Sequence, residues 1–363
     1  MEIPEFYAPS FRIVVGGREL IHGVTIDVFL LSVTETVNQA DSFSFSLRDR
    51  HPDRDRLFAG GDELKWMDSD IFNEGTEVEI YMGYVDDLRF MLRGEITAVD
   101  CNFPASGQST LRVRGYSLFH RLQRKRIRKP FESVKDSDIA AMIAREMGLD
   151  VEADDTGVEH PLVSPGGETC ASFLLQRAQR IGYEVAVKDR TLYFQRPACF
   201  RGLGPDLVLE WGKDLISFSS SLNTYNLPTR VTVRGMQTVQ GRGKDPLVGT
   251  ASAGNEEVSM GDRTGTQAAL AAFGENNLLV EDHSIASAEE AGQIARARLE
   301  TASLGYITGR GSCAGRPDLM ARKVIELNGM GRRFSGKYYV TSTTHSMGNG
   351  GYRTNFEVKR NAR

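Results

Sequence analysis

Phe43-Ser-Phe-Ser-Leu47 alternates large apolar and small polar side chains. Consecutive side chains of a strand point to opposite faces, so this period of two describes a strand with one buried face. The same grammar recurs on both sides of it. Residues 11–15 run into Gly16-Gly17 and then residues 18–21, a hairpin whose glycines supply positive φ. Val78, Ile80 and Met82 alternate with Glu77, Glu79 and Tyr81. Asp86-Asp87 turns the chain into residues 88–92, Gly94 interrupts before residues 96–99, and Leu111-Arg-Val-Arg-Gly115 closes the set. Many short strands at this spacing predict a β-barrel or sandwich over residues 1–120.

The period changes over residues 121–206. Ser137 is placed to cap a helix carrying Ile139, Met142, Ile143 and Met147, with Gly148 as its stop. Thr169 is placed to cap a second, with Phe173, Leu174, Ala178 and Ile181 inward and Gly182 as its stop. Residues 183–187 and 191–195 flank a turn at Asp189-Arg190, and Pro197 ends the hairpin. This is an α+β insertion.

Strand patterns return over 207–240, most clearly in Val231-Thr-Val-Arg-Gly235, and again at 305–313, 323–327, 337–344 and 352–359. Residues 207–240 and 305–363 are therefore predicted to form a second β-barrel domain. Between them, 241–304 reads as a loop-rich excursion plus a helix. Residues 236–286 are rich in Gly, Ser, Thr and Asn and hold no sustained pattern. Ser287-Ala-Glu-Glu290 is a capping box opening a helix with Ala291, Ile294, Ala295, Leu299 and Ala302 on one face. Arg112-Val-Arg-Gly115 is echoed by Thr232-Val-Arg-Gly235, and the unit 77–99 by 323–343. The simplest account is one barrel type used twice, in a β-dominated α+β chain.

The totals are those of a water-soluble globular protein. The chain has 363 residues, 40% hydrophobic and 25% charged, enough for two or three domains. A net charge of −4 is too near neutral for a surface given over to nucleic acid. Cys101, Cys170, Cys199 and Cys313 include no CxxC pair, which argues against a zinc site or disulfide framework and fits a reducing cytoplasm. The N-terminus lacks a basic region followed by an apolar stretch. The most apolar run, 24–33, is short and broken by Asp27, so no membrane insertion is expected.

Four stretches come near to carrying chemistry. Gly331-Arg-Arg-Phe-Ser-Gly-Lys337 nearly spells a phosphate-binding loop, but Tyr338 stands where Ser or Thr should hold magnesium and a strand pattern follows. Gly311-Ser-Cys-Ala-Gly315 has the spacing of a nucleophile elbow, but Pro317 follows where a helix should begin. Asp150, Glu152, Asp154, Asp155, Glu159 and His160 could approach a metal, yet Asp155 and Pro161 break the calcium-loop pattern and a solvated loop is the better reading. Arg121, Arg124, Lys125, Arg126, Arg128 and Lys129 form the densest basic cluster. With only Phe119 and Phe131 flanking it, stacking on bases has little support, and subunit contact ranks first. The six histidines (His22, His51, His120, His160, His283, His345) show no ligand spacing, and His345 closes a strand. No catalytic, cofactor-binding or metal-ligating residue is assigned, and no cofactor is expected.

Three blocks, in order, resemble the phage late control gene D family, whose relatives are baseplate hub proteins of contractile tails and the N-terminal hub region of VgrG spike proteins. The first is Leu111-Arg-Val-Arg-Gly-Tyr-Ser-Leu118 with the basic run and residues 137–148. The second is residues 173–182 with Tyr183 and Thr191-Leu-Tyr-Phe194. The third is Phe334-Ser-Gly-Lys-Tyr-Tyr-Val-Thr341, His345 and Gly351-Tyr-Arg-Thr-Asn-Phe356. The stretch Pro317-Asp-Leu-Met-Ala-Arg-Lys323 departs from the pattern by lacking the expected proline-glycine turn. The chain ends about where the hub region ends, so the OB domain and β-helix of VgrG are expected to be absent.

The resemblance implies a trimeric ring in which two similar barrels per chain present six similar units. The implied partners are a trimeric spike on one face, an inner tube or tube-initiator protein on the other, and further baseplate proteins. Such rings bury on the order of 2,000 Å² or more per interface. The implied role is structural rather than enzymatic. The protein would reside in the bacterial cytoplasm during assembly and then in the baseplate of a phage or phage-tail-like particle. The competing readings are a cell-wall hydrolase, with Asp154, Glu159 and Cys313 as its best candidates, and a ligand-binding β protein. The presence of just Trp66 and Trp211 argues against sugar stacking.

Overall fold

The computed structural model describes residues 8–20, 27–49, 64–105, 108–235, 247–256, 259–282, 285 and 287–363. The first β region holds β1 (Pro9–Val15), β2 (Arg18–Glu19), β3 (Val28–Thr36), β4 (Ser42–Asp49), β5 (Glu77–Tyr84), β6 (Asp87–Asn102) and β7 (Ser109–Ser117). They lie in the order β3-β4-β7-β6-β5-β1-β2. On β4 the alternation holds in part: Ser44 is half-exposed but Ser46 is buried, while Phe43, Phe45 and Leu47 are buried as expected. They join Leu31, Val33, Ile80, Met82, Val113 and others in one apolar core. The Arg18–Glu19 hairpin forms on Gly16 and Gly17, both at positive φ; Ile21 lies outside the described residues.

The insertion follows: α1 (Phe119–Arg124), β8 (Phe131–Lys135), α2 (Asp136–Glu146), β9 (Asp150–Ala153), β10 (Glu159–Val163), α3 (Cys170–Arg180), β11 (Glu184–Lys188) and β12 (Thr191–Gln195). Its core gathers Leu122, Ile139, Ile143, Phe173, Leu174, Val185 and Phe194. The Thr169 hydroxyl caps α3 by accepting from the Ser172 amide at 3.2 Å. The start of α2 differs from the expectation. It opens at Asp136, because the Asp138 carboxylate accepts from the Lys135 amide at 3.0 Å while Ser137 turns toward Thr156. Met142, expected inside, is exposed; Ile139, Ala140, Ile143 and Ala144 form the buried stripe instead.

The rest of the chain comprises β13 (Leu207–Glu210), β14 (Leu215–Leu222), β15 (Arg230–Gly235), β16 (Leu247–Ser252), α4 (Gly265–Phe273), β17 (Asn277–Glu281), α5 (Ala288–Ser303), β18 (Ile307–Ala314), β19 (Val324–Asn328), β20 (Gly336–Gly348) and β21 (Gly351–Arg360). Strands β14-β18-β21-β20 continue the first sheet across the β20–β3 pairing, and β19 and β13 branch from β20, making thirteen strands.

The β20–β21 hairpin belongs to both β regions. Its near end packs Tyr338, Val340, Phe356 and Val358 into the second core, and its far end packs Met347 and Tyr352 into the first. A bulge between Val340 and Ser342 lets one strand serve both.

Two expectations about 207–304 differ from the structure. β15, read with the second β region and as an echo of β7, lies outside the large sheet. It is the centre of a three-stranded sheet, antiparallel to β16 and parallel to β17. The excursion read as loops holds β16, α4 and β17, and α5 packs on β15 and β16 around Val231, Val233, Ile294 and Leu299. Parts of 236–286 lie outside the described residues. The close approach of α5 explains Gly249: a Cβ there would sit 2.1 Å from the Ala291 carbonyl carbon.

Candidate assembly surface

One face of the large sheet carries the two apolar cores, and across β14, β18, β21, the far part of β20 and β3 the other is laid largely with hydroxyls. Register places Ser219, Arg310, Glu357, Ser342 and Thr36 in one row across β14, β18, β21, β20 and β3. The next row is Ser217, Ser312, Asn355, Thr344, Thr34 and Ser42. Cross-strand hydroxyl pairs run along both rows: Thr36–Ser342 at 2.9 Å in the first, Ser217–Ser312 at 2.7 Å and Thr34–Thr344 at 3.2 Å in the second. Arg310 pairs with Glu357 at 2.9 Å, and Arg114 on β7 with Asp100 on β6 at 2.8 Å. Two hollows of about 490 and 480 Å³ lie on this face and share Ser342 and Glu357. Short hydroxyl side chains make a low, wettable floor that can hydrogen-bond in either sense.

Buried ionic seams fix the other units to this plate. Where β11 meets β20, the Tyr339 hydroxyl donates to Glu184 at 2.5 Å, and burial pushes the Glu184 carboxyl up to about 7. Nearby, Arg322 donates to Asp41 at 3.2 Å. Burial pushes Asp41 up to about 6 against the pull of that guanidinium. Burial works against the Arg322 charge too, but Asp41 and Glu35 outweigh it, so its pKa is raised.

A second seam ties the insertion to α5. Arg177 donates to Asp136 at 2.5 Å and reaches the His160 ring at 2.8 Å, and Arg180 donates to Glu290 at 2.7 Å. Burial would raise the Asp136 carboxyl, but the His160 and Arg177 hydrogen bonds prevail and hold it low. The Ser287 hydroxyl accepts from the Glu290 amide at 3.1 Å, so Glu290 serves cap and seam together.

The residues singled out in the sequence do not converge on one site. Cys313 is fully buried on β18, and burial pushes its thiol up to about 12. The flanking glycines are packing devices: a Cβ at Gly311 would lie 2.4 Å from the Phe356 ring, and one at Gly315 2.0 Å from the Tyr352 ring. Gly331–Phe334 is one helical turn in the β19–β20 connection, followed by a strand.

In the acidic stretch, Asp154 pairs with Arg201 and Asp155 with Lys135, while His160 turns inward to the seam. Among the described residues no group of acidic, His and Cys side chains is arranged for a metal. The basic cluster is divided: Arg121 pairs with Glu95, Lys125 with Glu146, and Arg126 donates to the Gly167 carbonyl. Arg124, Arg128 and Lys129 are exposed.

His345 lies within β20, which runs on to Gly348, and both its ring nitrogens are bonded. One lies 3.0 Å from the Leu319 carbonyl and the other 2.9 Å from the Tyr352 hydroxyl. His120 bonds Glu95; His22, His51 and His283 lie outside the described residues. Sequence reasoning missed Glu35, Asp41, Glu184 and Arg322, whose partners are supplied by segments far away in the chain. Among the described residues no helix is long and apolar enough to cross a membrane.

This architecture is similar to that of several phage tail and type VI secretion proteins. The prophage MuSo2 43 kDa tail protein from Shewanella oneidensis superposes with a TM-score of 0.71 at 11% identity, covering 97% of this chain and 98% of that one. The tail protein from Neisseria meningitidis MC58 gives 0.68 at 16% identity, over 98% and 97%. The E. coli c3393 protein, a component of the type VI secretion system, gives 0.59 at 14% identity, over 97% and 77%. At these identities the likeness is one of fold. The family model described as the Alg8 N-terminal domain matches residues 7–349, and the chain belongs to that family. No curated protein sequence matches it. That family match does not confirm the resemblance to the late control gene D family, and the structural neighbours support a tail-related fold.

Proposed function

We propose that the chain is a structural hub of a contractile tail or contractile injection system, adapting a sixfold inner tube to a threefold spike without catalysing a reaction. Three copies close into a ring, and the two β regions of each chain give six broadly similar units around it. The trimeric spike seats on one face, the tube or tube-initiator on the other, and further baseplate proteins on the rim. The observation that carries this reading is the β20–β21 hairpin shared by two cores, which makes the chain one plate with an open hydroxyl face. A plate of that kind transmits load between two docked partners, and its polar face suits the lining of a passage. The tail-protein names of the solved structures with this fold support the same reading. Co-expression with the spike and tube proteins of the same cluster tests it. A stable complex holding three copies of this chain is expected; failure to bind either protein contradicts the adaptor role.

A further inference from the structure

A cavity of about 260 Å³ lies where the β11–β12 hairpin of the insertion meets the segment leading into β19. Its charged lining is lopsided. Lys188, Arg196, Arg201, Arg322 and Lys323 line it, against the single carboxyl of Glu184. That carboxyl accepts the Tyr339 hydroxyl and is pushed by burial up to about 7, so near neutral pH it brings less than a full negative charge.

Arg196 and Arg201 are already matched. Arg196 donates to both carboxylate oxygens of Glu300, at 2.9 and 3.0 Å, and Arg201 pairs with Asp154. Lys188 and Arg322 hold donors that are not matched. Lys188 ends β11, and among the described residues its ammonium hydrogen-bonds the Met320 sulfur alone, at 3.2 Å. A thioether is a weak acceptor, and an ammonium carries three donors. The adjacent Asp189 does not serve it, because Asp189 pairs with Arg93 at 3.0 Å. Arg322 gives Nη2 to Asp41 at 3.2 Å, while its Nη1 is buried with no partner.

The half-exposed Lys323 adds its charge at the same place. Burial disfavours the Lys188 ammonium, and the Arg322 and Lys323 charges do so too, so its pKa is lowered despite Glu35 and Asp41. Charge held out of water is costly unless it is paired. The backbone at Arg322 is also held at a position that resists a side chain. Its φ of 68° is left-handed, a conformation that favours glycine, yet the segment keeps a guanidinium there.

We propose that this cavity binds a small oxyanion, phosphate or carboxylate in type, through Lys188, Arg322 and Lys323. An oxyanion accepts from several N–H donors at once and supplies the missing negative charge. At roughly 30 Å³ per water, the cavity has room for such an anion with part of its hydration. Lys188 belongs to the insertion and Arg322 to the segment before β19, so the bound anion bridges the insertion and the plate. It extends the seam that Glu184 and Tyr339 begin. The site lies within one chain, so it stands or falls independently of the hub reading.

Isothermal titration calorimetry of the full chain tests this, with inorganic phosphate and, separately, with succinate, in chloride buffer at constant ionic strength. Binding of one anion per chain is expected, and the tighter of the two tells phosphate from carboxylate. Lys188→Met drops the charge while keeping a long side chain, and should weaken binding roughly 10- to 100-fold, the worth of a hydrogen bond to a charged group. Lys323→Met should weaken it in the same direction and carries the comparison if Lys188→Met does not fold. Arg124→Met with Lys129→Met, in the exposed basic run, should leave binding unchanged. Hydrogen exchange should show the bound anion raising protection in Glu184–Lys188. Binding of neither anion overturns the proposal. So does binding that the lysine variants leave undiminished, or that the Arg124 and Lys129 variant abolishes.

Discussion

The Tyr339 hydroxyl of β20 donates a 2.5 Å hydrogen bond to the Glu184 carboxylate of β11, joining the insertion to the large sheet across 155 residues of chain. Burial pushes that carboxyl up to about 7, against the Tyr339 hydrogen bond and the Arg322 and Lys359 charges. The folded protein therefore holds this proton more tightly than the unfolded chain, where the reference value is 4.5. Stability from Glu184 is fully present below about pH 4.5 and is lost as pH rises toward about 7. Asp41, pushed up from 3.8 to about 6, adds a loss of the same sign. Glu184→Gln keeps an acceptor for Tyr339 without the buried charge. It should be more stable than wild type by about 1–3 kcal/mol at pH 8, with a much smaller difference at pH 5. Urea unfolding at the two pH values checks this; an unchanged difference would contradict it.

The seam between the insertion and α5 should be intolerant of single deletions. Asp136 and Glu290 are each 1% exposed, and Arg177 and Arg180 are their partners. Arg177→Met leaves the buried Asp136 carboxylate to His160 without its guanidinium and should cost about 3–5 kcal/mol, the usual consequence of breaking a buried pair from one side. Replacing Asp136 with Asn in the same chain should recover part of the loss. Chemical denaturation of the single and double variants measures both.

Gly249→Ala should loosen α5 from its sheet. The added methyl meets the Ala291 carbonyl carbon at 2.1 Å and the Gly292 nitrogen at 2.2 Å, both backbone atoms that cannot swing aside. A loss of about 1–3 kcal/mol is expected from overpacking. Hydrogen exchange should show lower protection in Ala288–Ser303, with the large sheet unaffected.

Native thiol labelling should modify one cysteine of the four. Cys101 is exposed, whereas Cys170, Cys199 and Cys313 are buried. Burial raises the pKa of all three buried thiols, Cys313 to about 12. Mass spectrometry after alkylation at pH 8 should find one adduct on the folded protein and four after denaturation. Rapid modification of Cys313 in the folded state would revive the nucleophile reading of its glycine-flanked motif.

Local chemistry was legible in the sequence and long-range pairing was not. The alternation at Phe43 to Leu47 and the Thr169 cap act within a few residues, so the sequence displays them. The excursion hid its elements because they are short. Gly265–Phe273 is nearly all small or apolar, which leaves no amphipathic stripe to read. One signal was available there: Thr264 and Gln267 form a capping box, with Gln267 bonding the Thr264 amide at 3.0 Å.

The continuity of the sheet depends on Ser342 meeting Thr36 across some three hundred residues, and no local pattern announces that. The seam residues were obscured for the same reason. His160 followed an acidic run and read as part of a solvated loop, whereas Arg177 and Glu290 draw it inward.

The measurement closest to the central claim is the solution mass of the purified chain by light scattering, alone and with the spike protein proposed as its partner, followed by negative-stain imaging. The hub account predicts three chains and a ring with a central passage. A monomer in both samples would contradict it and return the enzyme and ligand-binding readings to first place.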